Sequence, residues 1–498
     1  MEEYDLKSEN EIDSATAQLA RFAANLRFKD LTPETRHQGT RLIYDTLICA
    51  VAGSATKGTK LLSSVMLSSG GRKQATLLPG GRRTGTPVTA FLNAMSANDL
   101  DLDDNLLYHS RMGNTIICAA LAVAEQLDAS GEALVAAVVA GYETAARITL
   151  SMPGFMKIED SESGPRMVTP NPYSFSFNTI GAAVAAGHLL KLNATRMAHN
   201  IGLAAYSAPT SSVGTAVSKG SFAQIKPGMF GWQAWSGCIA ASMAAKGVDG
   251  DDTALDGPTG FWKMVGATSV DWDIMTRELG TRWWIQEVSF KLEPAGTWMR
   301  PALRAMRTVI EENHLQPEEI HKIDVYLHAP SQKLFSKSKP TRYLDAQVSY
   351  PYLLSVIALG IPMEHWQDPK VFRSKALRDM IARIQMHPDE EARDDLYREL
   401  SVPPRRATGA LTKVKVHARG TEFFAQSKYG AGDPGDPATR ATDSDLDRKF
   451  ARFAAPLLGD HAALAPKALW GLETGMSTRG LVAAFCRPPR KTMARSKA

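Results

Sequence analysis

The sequence predicts a mainly α fold: a large all-helical domain with a smaller α+β lid domain inserted into it. Three observations carry this. Apolar residues recur at helical spacing from about residue 12 to residue 280. Period-two alternation first occurs near residue 323. Helical spacing then returns after a stretch rich in Gly, Pro and Asp at 430–437. A chain of 498 residues is long enough for two domains. The pattern changes set the boundaries: residues 1–284 and 439–498 form the helical domain, and residues 285–438 the α+β insertion.

In the first helix, Leu19, Phe22, Ala23 and Leu26 make one apolar stripe. The second has Thr32 as N-cap and Pro33 at its first position, runs through Leu42, Ile43, Leu47 and Ala50, and stops at Gly53. Alanine-rich helices are expected at 116–127, 133–148, 181–192, 197–208 and 235–246, where small residues allow close helix packing. Beyond residue 285, Ile323, Val325 and Leu327 alternate with Asp324, Tyr326 and His328, the pattern of a half-buried strand. Residues 411–416 alternate likewise, and Arg419-Gly420 turns the chain into a hairpin return through Phe423, Phe424 and Ala425. Helices are expected at 351–359 and 374–384 and a loop at 430–437. Two closing helices are expected at 445–455, capped by Ser444 with Asp447 three residues on, and at 461–472.

Composition narrows the function classes. Hydrophobic residues at 44% and charged residues at 22% are ordinary for a soluble protein. A net charge of +5, part of it in the tail 487–497, is too small to argue for nucleic acid; the tail reads as a solvated terminus. Cys49, Cys118, Cys238 and Cys486 have no zinc spacing and read as free buried thiols in a reducing compartment. The acidic N-terminus lacks a signal-peptide pattern, and no run reaches the ~18–20 uninterrupted apolar residues of a membrane span. The expected location is cytoplasmic, with no membrane and no nucleic-acid partner. No GxGxxG after a strand, Walker A, HExxH or GxSxG sequence occurs.

Three segments carry chemistry. Asp99, Asp101, Asp103 and Asp104 precede Tyr108, His109, Arg111, Gly113 and Asn114. Four carboxylates in six residues repel one another unless solvated, paired or functional, so the cluster reads either as a solvated helix-to-loop junction or as a site. No calcium-loop Gly or distal Glu accompanies it. The second segment places Lys226 just before Pro227-Gly228 and a helix start, a natural anion holder. The third, from Phe290 to Pro301, carries Lys291 and Arg300 at the domain junction, where clefts form. Trp283 and Trp284 beside it either pack the hinge or line the pocket.

In this order, the three segments resemble the MmgE/PrpD family, which includes 2-methylcitrate dehydratases, cis-aconitate decarboxylases and iminodisuccinate epimerases. The resemblance runs from about residue 15 to about residue 458. It takes in residues 42–47 and 97–104, Gly141-Tyr142-Glu143 and residues 181–186. It continues through Lys226 with Gly231 and Gly237, residues 256–261, Lys291, residues 347–352 and residues 445–451. It implies a helical domain with an α+β lid, a homodimer, no cofactor and no metal, and a lyase acting on a small polycarboxylate. That means dehydration of an alkylcitrate-like substrate or decarboxylation of a cis-aconitate-like one. A cofactor-independent epimerase or isomerase, or a non-catalytic binding relative, is the alternative.

Carried over residue by residue, the resemblance assigns catalysis to Asp103, Lys226 and Lys291 and substrate binding to Asp101 and Asp104. The chain departs at three histidine positions. Asn114 stands at the first, Asn171 at or beside the second, and Arg300 at the third. Asparagine and arginine cannot serve as proton donors, although arginine grips carboxylates in a bidentate way. Lys226, Lys291 and Arg300 would then hold carboxylates, with Asn114, Asn171 and Tyr173 beside them. His109, Tyr108 or Tyr173 would move protons, His109 being the relocated catalytic histidine unless it is a solvated loop residue.

Overall fold

The computed structural model describes residues 14–154, 156–159, 166–168, 175–210, 222, 223 and 225–488. The fold is mainly α. Helix α1 (Ala15–Asn25) buries Leu19, Ala20 and Ala23. Helix α2 (Pro33–Gly53) starts where expected: the Thr32 hydroxyl accepts the Thr35 N–H and Pro33 occupies the first turn. It is buried along most of its length, so it forms an axis around which α4 (Thr86–Asp99), α5 (Gly113–Leu127) and α6 (Gly131–Ser151) pack; α3 (Lys57–Met66) lies against α4.

Helix α7 (Phe177–Leu189) crosses α6 so closely that a Cβ on Gly141 would lie 2.4 Å from the Gly181 carbonyl oxygen. That approach is why glycine faces glycine there. Helices α8 (Ala194–Tyr206) and α9 (Gly228–Ala245) complete the bundle. Helix α6 has the length and apolarity of a membrane span, but the core around it covers 94% of that stretch.

Short strand pairs interrupt the helical part, which the periodicity of residues 12–280 does not announce. β1 (Ala75–Leu77) pairs with β2 (Arg82–Thr84), and β4 (Lys157–Glu159) with β5 (Arg166–Val168). β3 (Asn105–Leu106) pairs with β6 (Val288–Ser289), two positions too short to show alternation.

A second hydrophobic core forms from residues beyond 294 together with Phe222. Helix α10 (Arg300–Asn313) packs on β9 and β10 of a four-stranded sheet of order β10-β9-β7-β8, and helix α11 (Tyr350–Ala358) packs on α10. In it β7 (Ile320–Leu327) lies antiparallel to β9 (Thr412–Ala418), with Val325 opposite Val414. The hairpin return is β10 (Thr421–Ser427). The helix expected at 374–384 ends at Ile381. Residues Ile384–Pro388 form β8 instead, parallel to β7, with Ile384 opposite Ile323. Its five residues end in proline and look from sequence like a helix tail. On the outer face Asp324 accepts from His387 and His417, two histidines without a motif of their own.

The last helices differ in detail. The cap of α12 (Asp443–Phe453) is Thr442, not Ser444. Thr442 Oγ1 accepts the Asp445 N–H, while the Asp445 carboxylate accepts the Thr442 N–H, a reciprocal pair that Ser444 and Asp447 do not make. The helix expected at 461–472 is shortened to Leu464–Trp470, after the positive-φ Gly459 and before Gly471. All four cysteines are free and buried. Trp283 packs on Phe22 in the helical core.

Candidate active site

The acidic segment leaves the end of α4 and turns inward. Asp99, Asp101, Asp103 and Asp104 are all buried, which overturns the solvated-junction reading. Burial on this scale requires partners, and each carboxylate has them. Asp99 accepts from Thr56, Thr59 and Tyr343. Asp104 accepts the Gly113 N–H at 3.0 Å and the Tyr142 hydroxyl at 3.1 Å. Burial, then the neighbouring Asp103 and Asp45, push its carboxyl up to about 7. Asp103 accepts from Asn98 at 2.8 Å and from Asn114 at 2.6 Å.

Three cations converge on Asp101. Lys226 Nζ lies 2.7 Å from its Oδ2, and Lys291 Nζ lies 2.5 Å from its Oδ1. Arg111 Nη2 is 3.2 Å from the same Oδ1. Burial raises the Asp101 pKa, but Arg111, Lys226 and Lys291 together outweigh it and hold the carboxyl well below its usual range. Lys291 also reaches Asp103 at 3.2 Å, so the three cations and the two carboxylates form one charged network. Burial lowers the Lys226 pKa, and Asp101 opposes that shift.

Chain geometry explains the convergence. The β3–β6 pair sets Asn105 opposite Ser289, which carries Lys291 two residues later under the acidic loop. Lys226 stands two residues before α9. Asp101, Leu107 and Tyr108 adopt left-handed backbone conformations with φ of 53°, 49° and 52°. Such strain in non-glycine residues persists where surrounding contacts enforce it, and it clusters at functional sites. Beneath the loop, Lys449 of α12 bonds both Asp45 and the Leu102 carbonyl.

A cleft opens at the junction of the two cores. Its polar wall holds Lys226, Arg111, His109, Tyr108 and Asn105; Phe222, Met229, Trp298, Phe335 and Val348 make an apolar wall. His109 is buried, not a solvated loop residue, and its Nε2 lies 3.1 Å from Thr149 Oγ1. Burial and then Arg406 drive its pKa well below the ordinary histidine value, so its imidazole is neutral.

A sequence profile of the MmgE/PrpD N-terminal domain matches residues 17–272, and one of the MmgE/PrpD C-terminal domain matches residues 294–469. The chain belongs to the MmgE/PrpD family. Its members are generally lyases or dehydratases. No curated relative matches the chain.

Against the residues that the MmgE/PrpD resemblance assigns, the structure gathers Asp101, Asp103, Asp104, Asn114, Lys226 and Lys291 into one buried network. Of these, only Lys226 lines the cleft among the described residues; His109 lines it as well. Asn114, at the first altered histidine position, is spent on Asp103. Arg300 corrects an expectation. It is fully buried, pairs with Asp433 at 2.7 Å, donates to Ser289 Oγ at 2.8 Å and to the Ala431 carbonyl, and does not face the cleft. Its guanidinium is committed to closing the 430–437 loop onto β6, not to a ligand carboxylate. Asn171 and Tyr173 lie outside the described residues.

Sequence reasoning did not single out Arg111, Asn105 or Thr297 as site residues. Arg111 offered a signal, a cation inside the acidic segment; the other two offered none. Among the described residues, no group of three His, Cys, Asp or Glu side chains is arranged to hold a metal ion.

Proposed function

We propose that this member of the MmgE/PrpD family is a cofactor-independent lyase that dehydrates an alkylcitrate-like polycarboxylate in the cleft between its helical and α+β parts. The convergence of Lys226, Lys291 and Arg111 on Asp101 carries the reading. It sets two of these cations, Lys226 and Arg111, on the wall of the cleft itself. The apolar wall opposite favours a substrate with an alkyl substituent over bare cis-aconitate.

In this reading residues 285–438 form a lid. Arg111 grips a carboxylate and spreads the negative charge that builds as the adjacent C–H bond breaks. The neutral His109 takes that proton, the electron pair closes the double bond, and the C–O bond breaks. The imidazolium so formed on His109 gives its proton to the departing hydroxide, making water, while Lys226 holds a second carboxylate. Asp101 holds Lys226 and Arg111 in register. The four buried thiols support a reducing, cytoplasmic setting, and the family resemblance supports a homodimer.

Citrate, 2-methylcitrate, longer alkylcitrates and cis-aconitate offered separately, with alkene absorbance and CO2 followed, test the reaction. New alkene absorbance from an alkylcitrate without CO2 is expected. CO2 release from cis-aconitate would replace dehydration with decarboxylation. Saturable binding with no turnover of any of them would make the protein a binding relative.

A further inference from the structure

Two buried side chains on the cleft wall present polar atoms that nothing in the described structure satisfies. Thr297 is 2% exposed, and its Oγ1 has no hydrogen-bond partner among the described residues. Asn105 is also 2% exposed, and its Oδ1 is likewise unpartnered. Both line the same cleft as Lys226. A buried polar group left without a partner costs about 1–3 kcal/mol, and native proteins seldom carry one without a reason.

Their positions are fixed by the fold. Asn105 sits in β3, opposite Ser289 of β6. Thr297 begins the turn that leads into α10, and the preceding Gly296 N–H bonds the Gln347 carbonyl at 2.7 Å. Both backbones are tethered at the cleft wall.

The chemistry of the pair restricts what satisfies it. The Asn105 carbonyl oxygen accepts only, so it repels a carboxylate and calls for an O–H or N–H donor. The Thr297 hydroxyl both donates and accepts. A ligand hydroxyl meets both requirements, giving its proton to Asn105 and taking one from Thr297. We infer that Asn105 and Thr297 form a specificity pair that reads the hydroxyl of a hydroxylated polycarboxylate, while Lys226 and Arg111 hold its carboxylates. The inference rests on the carboxylate-binding reading above and adds the residues that select a hydroxy acid over its deoxy counterpart. Sites built to bond a substrate hydroxyl discriminate strongly, because the analogue lacking it leaves the buried groups unpaired.

The test uses matched pairs of acids on the full chain: citrate against propane-1,2,3-tricarboxylate, and malate against succinate, with dissociation constants from calorimetry. The hydroxy acid is expected to bind at least ten-fold tighter in each pair. Thr297→Val and Asn105→Leu are expected to bring that ratio near one while leaving the deoxy acids' affinity unchanged, and Thr297→Ser to keep the preference. Equal binding of hydroxy and deoxy acids by the unaltered protein, lost in both cases on Lys226→Ala, would overturn the specificity pair and leave the carboxylate site standing. A preference that survives both Thr297→Val and Asn105→Leu would overturn it as well. Failure of all four acids to bind, or binding indifferent to Lys226→Ala, would overturn the carboxylate reading and the pair with it.

Discussion

Lys226 Nζ stands 2.7 Å from Asp101 Oδ2, and Asp101 holds its left-handed backbone, φ 53°, inside a ring of three cations. Of those three, Lys226 and Arg111 line the cleft, and Lys226 comes from the turn two residues before α9. Lys226→Ala is therefore expected to lower polycarboxylate turnover by at least about 100-fold, the scale of losing one preorganised charge-stabilising group. Asp101 keeps Lys291 and Arg111, so circular dichroism should be unchanged. Near-normal kinetics would remove Lys226 from the site.

Anion binding should weaken on the alkaline side. Lys226 attracts a carboxylate only while protonated, and burial lowers its pKa below that of an ordinary lysine. Binding is then full at lower pH and lost as pH rises through that depressed value. Titrating affinity against pH in the unaltered protein and in Lys226→Ala checks this: the alkaline loss should be present in the first and absent in the second.

Arg300 and Asp433 form a fully buried pair at 2.7 Å, with Tyr108 also donating to Asp433 at 2.6 Å. Removing one partner leaves a charge buried without its counter-charge, so Arg300→Ala should destabilise the fold by about 3–5 kcal/mol. Thermal and denaturant unfolding measure it. A variant of unchanged stability but weakened substrate binding would return Arg300 to the ligand-gripping role that the sequence suggested.

Asp104 links pH to stability with a definite sign. Its folded pKa of about 7 lies above the ordinary carboxylate value, so folding takes up a proton between the two. The stability it contributes is complete below the unfolded pKa and is lost as pH rises through about 7. Asp104→Asn, which cannot ionise, should remove this slope. Melting curves of both proteins from pH 4 to pH 8 should diverge in that direction, and parallel curves would contradict it.

Gly113 lies against the same carboxylate. A Cβ there would stand 2.6 Å from Asp104 Oδ1 and 3.0 Å from Thr46 Oγ1. Gly113→Ala should displace Asp104 at the start of α5 and destabilise the protein by about 1–3 kcal/mol, read as a lowered melting temperature.

Local signals were legible where one segment supplies all the physics. Thr32 and Pro33 start α2 because a hydroxyl cap and a preset φ act within four residues. The alternation of Ile323, Val325 and Leu327 marks β7 because side-chain period belongs to the strand itself. The β8 strand and the β3–β6 pair were not legible, since so few residues define a strand only through the partner that pairs with them. The site divides the same way. Lys226, Lys291 and the acidic run stand out as residue types in recognisable segments. That Arg300 turns away to Asp433 depends on a loop 130 residues distant, which no local pattern encodes.

By itself, then, the sequence determined the mainly helical class, the Thr32 cap, the strands with a local period, and the family. Those depend on spacing along one chain segment and on residue types kept in order. Only the tertiary structure decided that four aspartates are buried and not solvated, that Lys226 and Arg111 face a cleft while Lys291 lies behind them, and that Asn105 and Thr297 stand there unpartnered. Burial and pairing are properties of the space between segments far apart in the chain, and that space exists only after the segments have packed.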